Sequence, residues 1–461
     1  MVTAAMVDEA GSATSGGSVF TSPRPASAGR FPAGFVWGAA TASFQIEGAR
    51  DRRGDSIWDR FCERPGAIVD GSNGDHACDH VNRWRTDVTL LGQLGLDAYR
   101  FSIAWPRVLP EGRGVASTEG LDFYSRLVDA LLEDGVTPYV TLYHWDLPQP
   151  LEDAGGWPVR STAEAFADYA ELVTRHLGDR VDHWTTLNEP YCSAEYGYAE
   201  GRMAPGRRSR ADGFAAAHHL LLGHGLAVER IRAVSPSAEV ALVLNLAPVY
   251  PASDHDVDVE AAQRRHRLFN RWYVEPALGF GSPAETMPEV GWPGDEIADG
   301  DLDVIAAPID VLGVNYYTRA VVSADPELVL DLAPVTGCGW EIYPQGLTEI
   351  LQWLHRSYGF SRYLVTENGA AMDDVADGDG RVDDVERIDY LRSHLMAVHD
   401  AIADGVPVEG YFVWSLLDNF EWAYGYSRRF GLVRVDYDTF ERAPKASADW
   451  YAQVARTNMV G

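Results

Sequence analysis

The chain has 461 residues, 46% of them hydrophobic, which is enough for a large core. Lys+Arg 38 against Asp+Glu 68 leaves a net charge of −30, and the sequence pI is about 4.7. Nucleic acid and anionic membrane surfaces both demand basic patches, so this balance argues against either as a partner.

The acidic excess reads as a solvated, self-repelling surface. Almost every basic residue is Arg, and Lys445 is the only Lys; this reads as genome composition rather than chemistry. The cysteines Cys62, Cys78, Cys192 and Cys338 match no zinc or disulfide framework. They point to a reducing, cytoplasmic setting. No run of about 18 apolar residues occurs, so no membrane span is expected.

Residues 1–30 are rich in Ser, Gly, Ala and Pro, without the basic start and apolar run of a signal peptide. They read as a disordered tail, with the folded part from Phe31 to the end. The first strand is expected over Phe35–Thr41, with Gln45 in the loop behind it. A helix over Trp84–Leu94 precedes a strand over Ala98–Ile103. Leu127, Val128, Leu131 and Leu132 form the apolar stripe of a helix over Leu121–Leu132. Pro138–Tyr143 is the third strand and delivers His144. Thr162–His176 reads as a helix capped by Ser161 or Thr162.

The fourth strand passes through Trp184 and ends at Asn188-Glu189-Pro190. Ala211–Val234 is helical and Val240–Asn245 the fifth strand. A helix over Arg264–Glu275 and a strand over Val311–Tyr317 follow, then a helix over Leu347–Tyr358. The seventh strand ends in Thr366-Glu367-Asn368-Gly369. A helix over Ile388–Ala403, the eighth strand Gly410–Trp414 and a short helix over Ser447–Arg456 close the chain. Eight apolar strands alternating with helices imply a parallel sheet covered on both faces. Eight such units close a (β/α)8 TIM barrel, with its chemistry at the C-terminal face of the strands. Gln45, Arg100, His144, Glu189, Asn245, Asn315, Tyr317, Glu367 and Trp414 all fall at that face and are expected to line one pocket.

Glu189 and Glu367 stand out because each ends a buried strand beside an Asn. A residue before Pro is pushed to extended backbone, so Glu189 is expected to stand at the mouth of its strand. Gly369 is expected to let the chain turn sharply after Glu367. Two carboxyl groups at strand ends are the elementary kit for glycoside hydrolysis.

The ordered series of motifs resembles glycoside hydrolase family 1, the β-glucosidase family, from about Phe31 onward. It comprises Phe35-Val36-Trp37-Gly38, Gln45-Ile46-Glu47-Gly48, Arg100-Phe101-Ser102, Tyr143-His144-Trp145-Asp146-Leu147-Pro148 and Thr186-Leu187-Asn188-Glu189-Pro190. Asn315-Tyr316-Tyr317-Thr318, Thr366-Glu367-Asn368-Gly369 and Trp414–Trp422 follow, with Phe430-Gly431 last. The resemblance implies a retaining β-glucosidase, with Glu189 as acid/base and Glu367 as nucleophile. It implies that Gln45, His144, Asn188, Glu421 and Trp422 bind the non-reducing sugar, over Trp414 as a stacking platform. Arg100, Asn315 and Tyr317 match the surroundings of the nucleophile. Tyr191 departs from the family's usual Trp and, with Trp340, is expected on the aglycone side.

No cofactor is implied, and the partner is a β-glucoside, small or oligomeric. The expected electrostatics are an ionised Glu367, its pKa lowered by Arg100 and Tyr317, and a protonated Glu189. A 6-phospho-β-glucosidase is the alternative within the family, but a carboxylate at Glu421 would repel phosphate. A silent sugar-binding barrel is a second alternative, opposed by the presence of both acids. A metal-dependent barrel needs clustered His and Asp ligands, and His144 alone offers one at a strand end. Asp75–His80 looks metal-like without matching a zinc signature. Asp373–Asp384 resembles a calcium loop but has Val375 at a ligand position; it reads as a solvated loop. His218-His219 lies on a helix and receives no catalytic role.

Overall fold

A computed structural model of the chain describes residues 29–281, 297–328, 330, 332–378 and 380–461. Eight parallel strands close a barrel. They are β1 (Val36–Ala40), β2 (Ala98–Ser102), β3 (Thr137–Tyr143), β4 (His183–Asn188), β5 (Glu239–Asn245), β6 (Val311–Asn315), β7 (Tyr363–Asn368) and β8 (Val408–Trp414). Every residue of β2, β6 and β7 is buried. That is why these segments are mainly apolar rather than alternating, apart from site residues such as Arg100 and Glu367: helices cover one face and the barrel interior the other. β8 returns to β1 through pairs from Gly410↔Val36 to Trp414↔Ala40. The Cβ of any larger residue at Gly38 would stand 2.3 Å from the Phe412 ring, so the barrel interior admits none there.

Register carries the sequence candidates to one level. Asn245 pairs with Asn315, and Asn315 with Glu367, across β5, β6 and β7. Gly369 makes the next turn by a different route from the one expected. Its role is close approach, since a Cβ would lie 1.7 Å from the Trp414 carbonyl oxygen.

Several sequence expectations need correction. Gly29 and Arg30, assigned to the tail, pair antiparallel with Val460 and Met459; the rest of the tail lies outside the described residues. The helix Arg160–Leu177 starts before the proposed cap, and its N-cap Val159 makes no side-chain bond. The Thr162 hydroxyl instead donates to the Gly156 carbonyl at 2.6 Å. Leu132 is 43% exposed and does not belong to the stripe of its helix, Thr118–Glu133. The helix expected over Arg264–Glu275 is three pieces: Asp256–His266, a wide π turn Arg267–Arg271, and Trp272–Ala277. Its first piece buries only Asp258 and Ala262, so it offered no apolar periodicity to detect.

The acidic segment Asp373–Asp384 is not simply solvated. Arg387 and Lys445 both bind Asp374, Arg387 also binds Asp384, and Lys445 reaches Asp418 at 2.7 Å. These side chains are at most 1% exposed. The network ties the loop after β7 to the segment after β8 that carries Glu421 and Trp422. The sole lysine is thus structural. Lys445→Met takes one cation from each of Asp374 and Asp418, which keep Arg387 and Arg429, and is expected to cost about 1–3 kcal/mol, read as a lowered urea midpoint.

Among the described residues no helix is long and apolar enough to cross a membrane, and none of their His, Cys, Asp and Glu side chains form a group of three or more able to hold a metal ion. In the metal-like segment, His80 pairs with Asp87 at 2.7 Å and the Cys78 thiol donates to the Asp418 carbonyl at 3.1 Å. His218 and His219 bind Asp301 at 2.9 Å and the Trp157 carbonyl at 3.2 Å.

Candidate active site

At the C-terminal mouth of the barrel lies a cavity of about 310 Å³ whose walls include Glu189, Glu367 and Glu421. His144, Asn245, Asn315, Tyr317 and Trp414 also line it, as do Trp340 and Trp422. Arg100 and Asn188 stand one layer behind and touch lining residues, and Gln45 is buried beside Glu421 with its Oε1 free of any partner among the described residues. The volume suits a ligand of one to two sugar rings.

Glu189 follows β4 with φ of 48°, in the left-handed region and not the extended one expected before Pro190. Its N–H still donates to the Val243 carbonyl at 2.9 Å, so the barrel holds the strained residue in place. Such a conformation costs about 1–3 kcal/mol in a non-glycine residue and is typical of functional sites. The carboxyl receives Asn315 Nδ2 on Oε1 at 2.7 Å and the Cys192 thiol on Oε2 at 3.1 Å. Asn245 Nδ2 in turn donates to the Cys192 sulfur at 3.4 Å. Among the described residues no cation lies within ion-pair distance of Glu189.

Glu367, on β7, is surrounded differently. Arg100 donates from Nη1 to Oε1 at 2.6 Å, and the Tyr317 hydroxyl donates to Oε2 at 2.8 Å. Arg100 Nη2 donates to Asn188 Oδ1 at 2.6 Å, and Asn315 Nδ2 donates to the same oxygen at 3.0 Å. Thr366 fixes Asn315 by donating to its Oδ1 at 2.7 Å. Asn188 therefore spends its amide oxygen on the protein, and its Nδ2 faces His144 Nε2 at 3.1 Å.

Burial pushes the Glu189 carboxyl up to about 8, and the negative charge of Glu367 adds to the rise. The hydrogen bonds from Asn315 and Cys192 oppose it. Burial also raises Glu367, against the pull of Arg100, Tyr317 and Asn315. The sequence expectation of a lowered value for Glu367 is therefore corrected: its partners were legible, but the loss of water was not. The proton still belongs on Glu189, because the full cation of Arg100 sits on Glu367 alone.

The far end of the cavity suits a sugar. Gln45 Nε2 donates to Asn419 Oδ1 and the Phe420 carbonyl, both at 2.9 Å, and faces Glu421 Oε2 at 3.4 Å. Gln45 Oε1 and His144 Nδ1 are buried without a partner within the protein. Burial keeps His144 neutral by lowering its pKa well below the usual range, and Arg100 adds to this. Burial and the charge of Glu367 push Glu421 up to about 8. Trp414 stacks with His144 at 5.6 Å, and Trp422 packs on Trp145 at 4.5 Å and Trp58 at 4.6 Å. Polar groups around an aromatic floor match a ring with hydroxyl edges and apolar faces.

On the other side Trp340 lines the cavity, packed against Tyr317 at 5.4 Å. Tyr191 does not line it. It is 3% exposed, set edge-on to Phe269 and Tyr196, and its hydroxyl accepts from Arg265 Nη1 at 2.6 Å. Arg265 and Phe269 reach the wall in its place. Sequence reasoning missed the roles of Cys192 and Arg265. Cys192, three residues after Glu189 on a turn closed by a 2.9 Å backbone bond, was accessible from i,i+3 spacing. Arg265 carried no local signal.

Comparison with known proteins agrees with this geometry. The model of "Glycosyl hydrolase family 1" matches residues 27–460. Beta-glucosidase A of Acetivibrio thermocellus is 44% identical over 441 residues, covering 93% of this chain and 98% of its own. Thermostable beta-glucosidase B of Thermobispora bispora is 49% identical over 445 residues, covering 93% and 91%. The solved beta-glucosidase from Thermotoga maritima in complex with glucoimidazole superposes with a TM-score of 0.89 at 45% identity, covering 93% of this chain and 99% of that one. A closed eight-stranded barrel, two buried carboxyl groups in unlike surroundings and a match over nearly its whole length lead to one assignment: the chain belongs to glycosyl hydrolase family 1.

Proposed function

We propose that the protein is a retaining β-glucosidase that removes terminal, non-reducing β-D-glucosyl residues by double displacement. The observation that carries this is the unequal pair: Glu367 held by Arg100 at 2.6 Å, and Glu189 without a cation and pushed up to about 8. Ionised Glu367 attacks the anomeric carbon while protonated Glu189 gives its proton to the leaving oxygen. The covalent intermediate removes the charge of Glu367, so the Glu189 pKa falls and the same group then deprotonates the incoming water. Gln45, His144 and Glu421 hold the sugar hydroxyls over Trp414 and Trp422, and Asn188 orders Arg100 and His144 behind them. Trp340 forms the aglycone wall. The name of the Acetivibrio relative and the glucoimidazole bound to the Thermotoga enzyme support a glucosyl substrate. Glu421 at the sugar end, protonated or ionised, offers a 6-phosphate no counter-charge, which favours a neutral sugar over a 6-phosphosugar. Four unpaired cysteines support a cytoplasmic location.

Retention requires the two carboxyl groups to stand about 5–5.5 Å apart. Proton NMR of a β-glucoside digest is expected to show the β-anomer of glucose first. Initial α-anomer would overturn the mechanism. A second test follows from the pKa directions. Activity is expected to fall as pH rises through about 8, where Glu189 loses the proton it must donate. It also falls on the acidic side, as Glu367 gains a proton and ceases to be a nucleophile. A kcat/KM profile against pH measures both limbs in the free enzyme.

A further inference from the structure

Three arginines reach the cavity wall outside the sugar end: Arg202, Arg265 and Arg319. Two carry their own counter-charge. Arg319 forks onto Glu341 at 2.7 and 2.9 Å, and Arg202 pairs with Glu200 at 2.8 Å. Arg265 does not. Among the described residues no carboxylate lies within ion-pair distance of it, and its hydrogen bond goes to the Tyr191 hydroxyl. Burial holds that phenol well above its usual pKa, so the partner is neutral. Glu195 is already held by Arg210 at 2.6 Å. The Arg265 guanidinium lies over the Phe269 ring at 4.7 Å, which fixes its plane while leaving most of its five N–H donors unspent.

Position assigns the side of the reaction. Arg265 is anchored by Tyr191, two residues beyond Glu189, and the acid must meet the leaving oxygen. The sugar end, at Gln45 and Glu421, is built from other segments. Glu189 is protonated when the substrate binds, so it does not repel an anion beside it in the complex that forms first. In a chain of net charge −30, a half-buried cation without a carboxylate, on the wall of a cavity, is an available site for one.

We propose that Arg265 is a specificity-determining residue that recognises a carboxylate on the aglycone, so that the favoured substrates are β-glucosides of acidic, aromatic-type leaving groups. Phe269 and Trp340 supply the apolar surface such an aglycone needs, and Arg265 supplies the charge. The inference rests on the β-glucosidase reading above.

The test uses two matched pairs: 4-carboxyphenyl against 4-carbamoylphenyl β-glucoside, and the corresponding 3-substituted pair. The neutral amide is the better leaving group in each, so bond-breaking chemistry alone favours it. For at least one pair, the carboxylate-to-amide ratio of kcat/KM is expected to fall about 10-fold or more in Arg265→Met, chiefly through KM. Arg265→Lys is expected to keep part of the preference, and added NaCl to lower the wild-type ratio. Equal ratios in wild type and Arg265→Met for both pairs would overturn the proposal. A wild-type ratio indifferent to salt in both pairs overturns it without any variant. If the wild type hydrolyses none of the four, the β-glucosidase reading falls, and this inference with it.

Discussion

Glu367→Gly is expected to lower kcat for aryl β-glucosides by about 10⁵-fold or more, because no covalent intermediate can form. The variant should still bind substrate, since the proposed sugar contacts at Gln45, His144 and Glu421 come from other strands and loops. The removed side chain leaves a space beside Arg100 and Tyr317, two donors that were satisfied by the carboxylate. A small anion fits that space and those donors. Added azide or formate is therefore expected to restore part of the turnover with an activated substrate. Azide attacks from the face that Glu367 occupied, so the product is the α-glycosyl azide. A variant that keeps hydrolysing without added anion would remove Glu367 from the role of nucleophile.

Glu189→Ala is expected to slow substrates with poor leaving groups by about 10²–10⁴-fold, the range of a lost general acid. Activated aryl glycosides should suffer far less in the first step, because their leaving oxygen departs without a proton. The second step then limits, since the base for water is also gone, and the glycosyl-enzyme accumulates as a burst. Azide needs no base, so it should rescue this variant with the β-glycosyl azide as product. The alkaline limb near pH 8 should vanish, because it reports the proton on Glu189. The two azide products are of opposite configuration. A reversed pattern would exchange the roles of Glu189 and Glu367.

Much of this protein is written locally. Parallel strands buried on both faces are mainly apolar, so β2, β6 and β7 were visible in spite of polar residues such as Arg100, and eight such strands alternating with helices leave few architectures besides a closed barrel. Chemistry that needs a particular residue at a strand end was visible for the same reason: Glu189 and Glu367 sit where an apolar run stops.

Distances, burial and the partners of distant side chains belong to the tertiary structure. The positive φ of Glu189 was hidden because the rule for a residue before proline describes an isolated chain, and here the Val243 carbonyl holds the backbone elsewhere. The upward push on Glu367 was hidden because charges can be named from a sequence but exclusion of water cannot. Tyr191 looked like a wall of the site by its position after Pro190, yet packing turned its ring inward and brought Arg265, 74 residues away, to the cavity in its place. Lys445 read as an accident of composition, and only the convergence of Asp374 and Asp418 on it shows that this amine holds two active-site loops together. Sequence alone determined the barrel and its two acids, because periodicity and strand ends are short-range properties. The unlike surroundings of the two carboxyl groups, and the residues that line the cavity beyond them, come from side chains that meet only after the barrel closes.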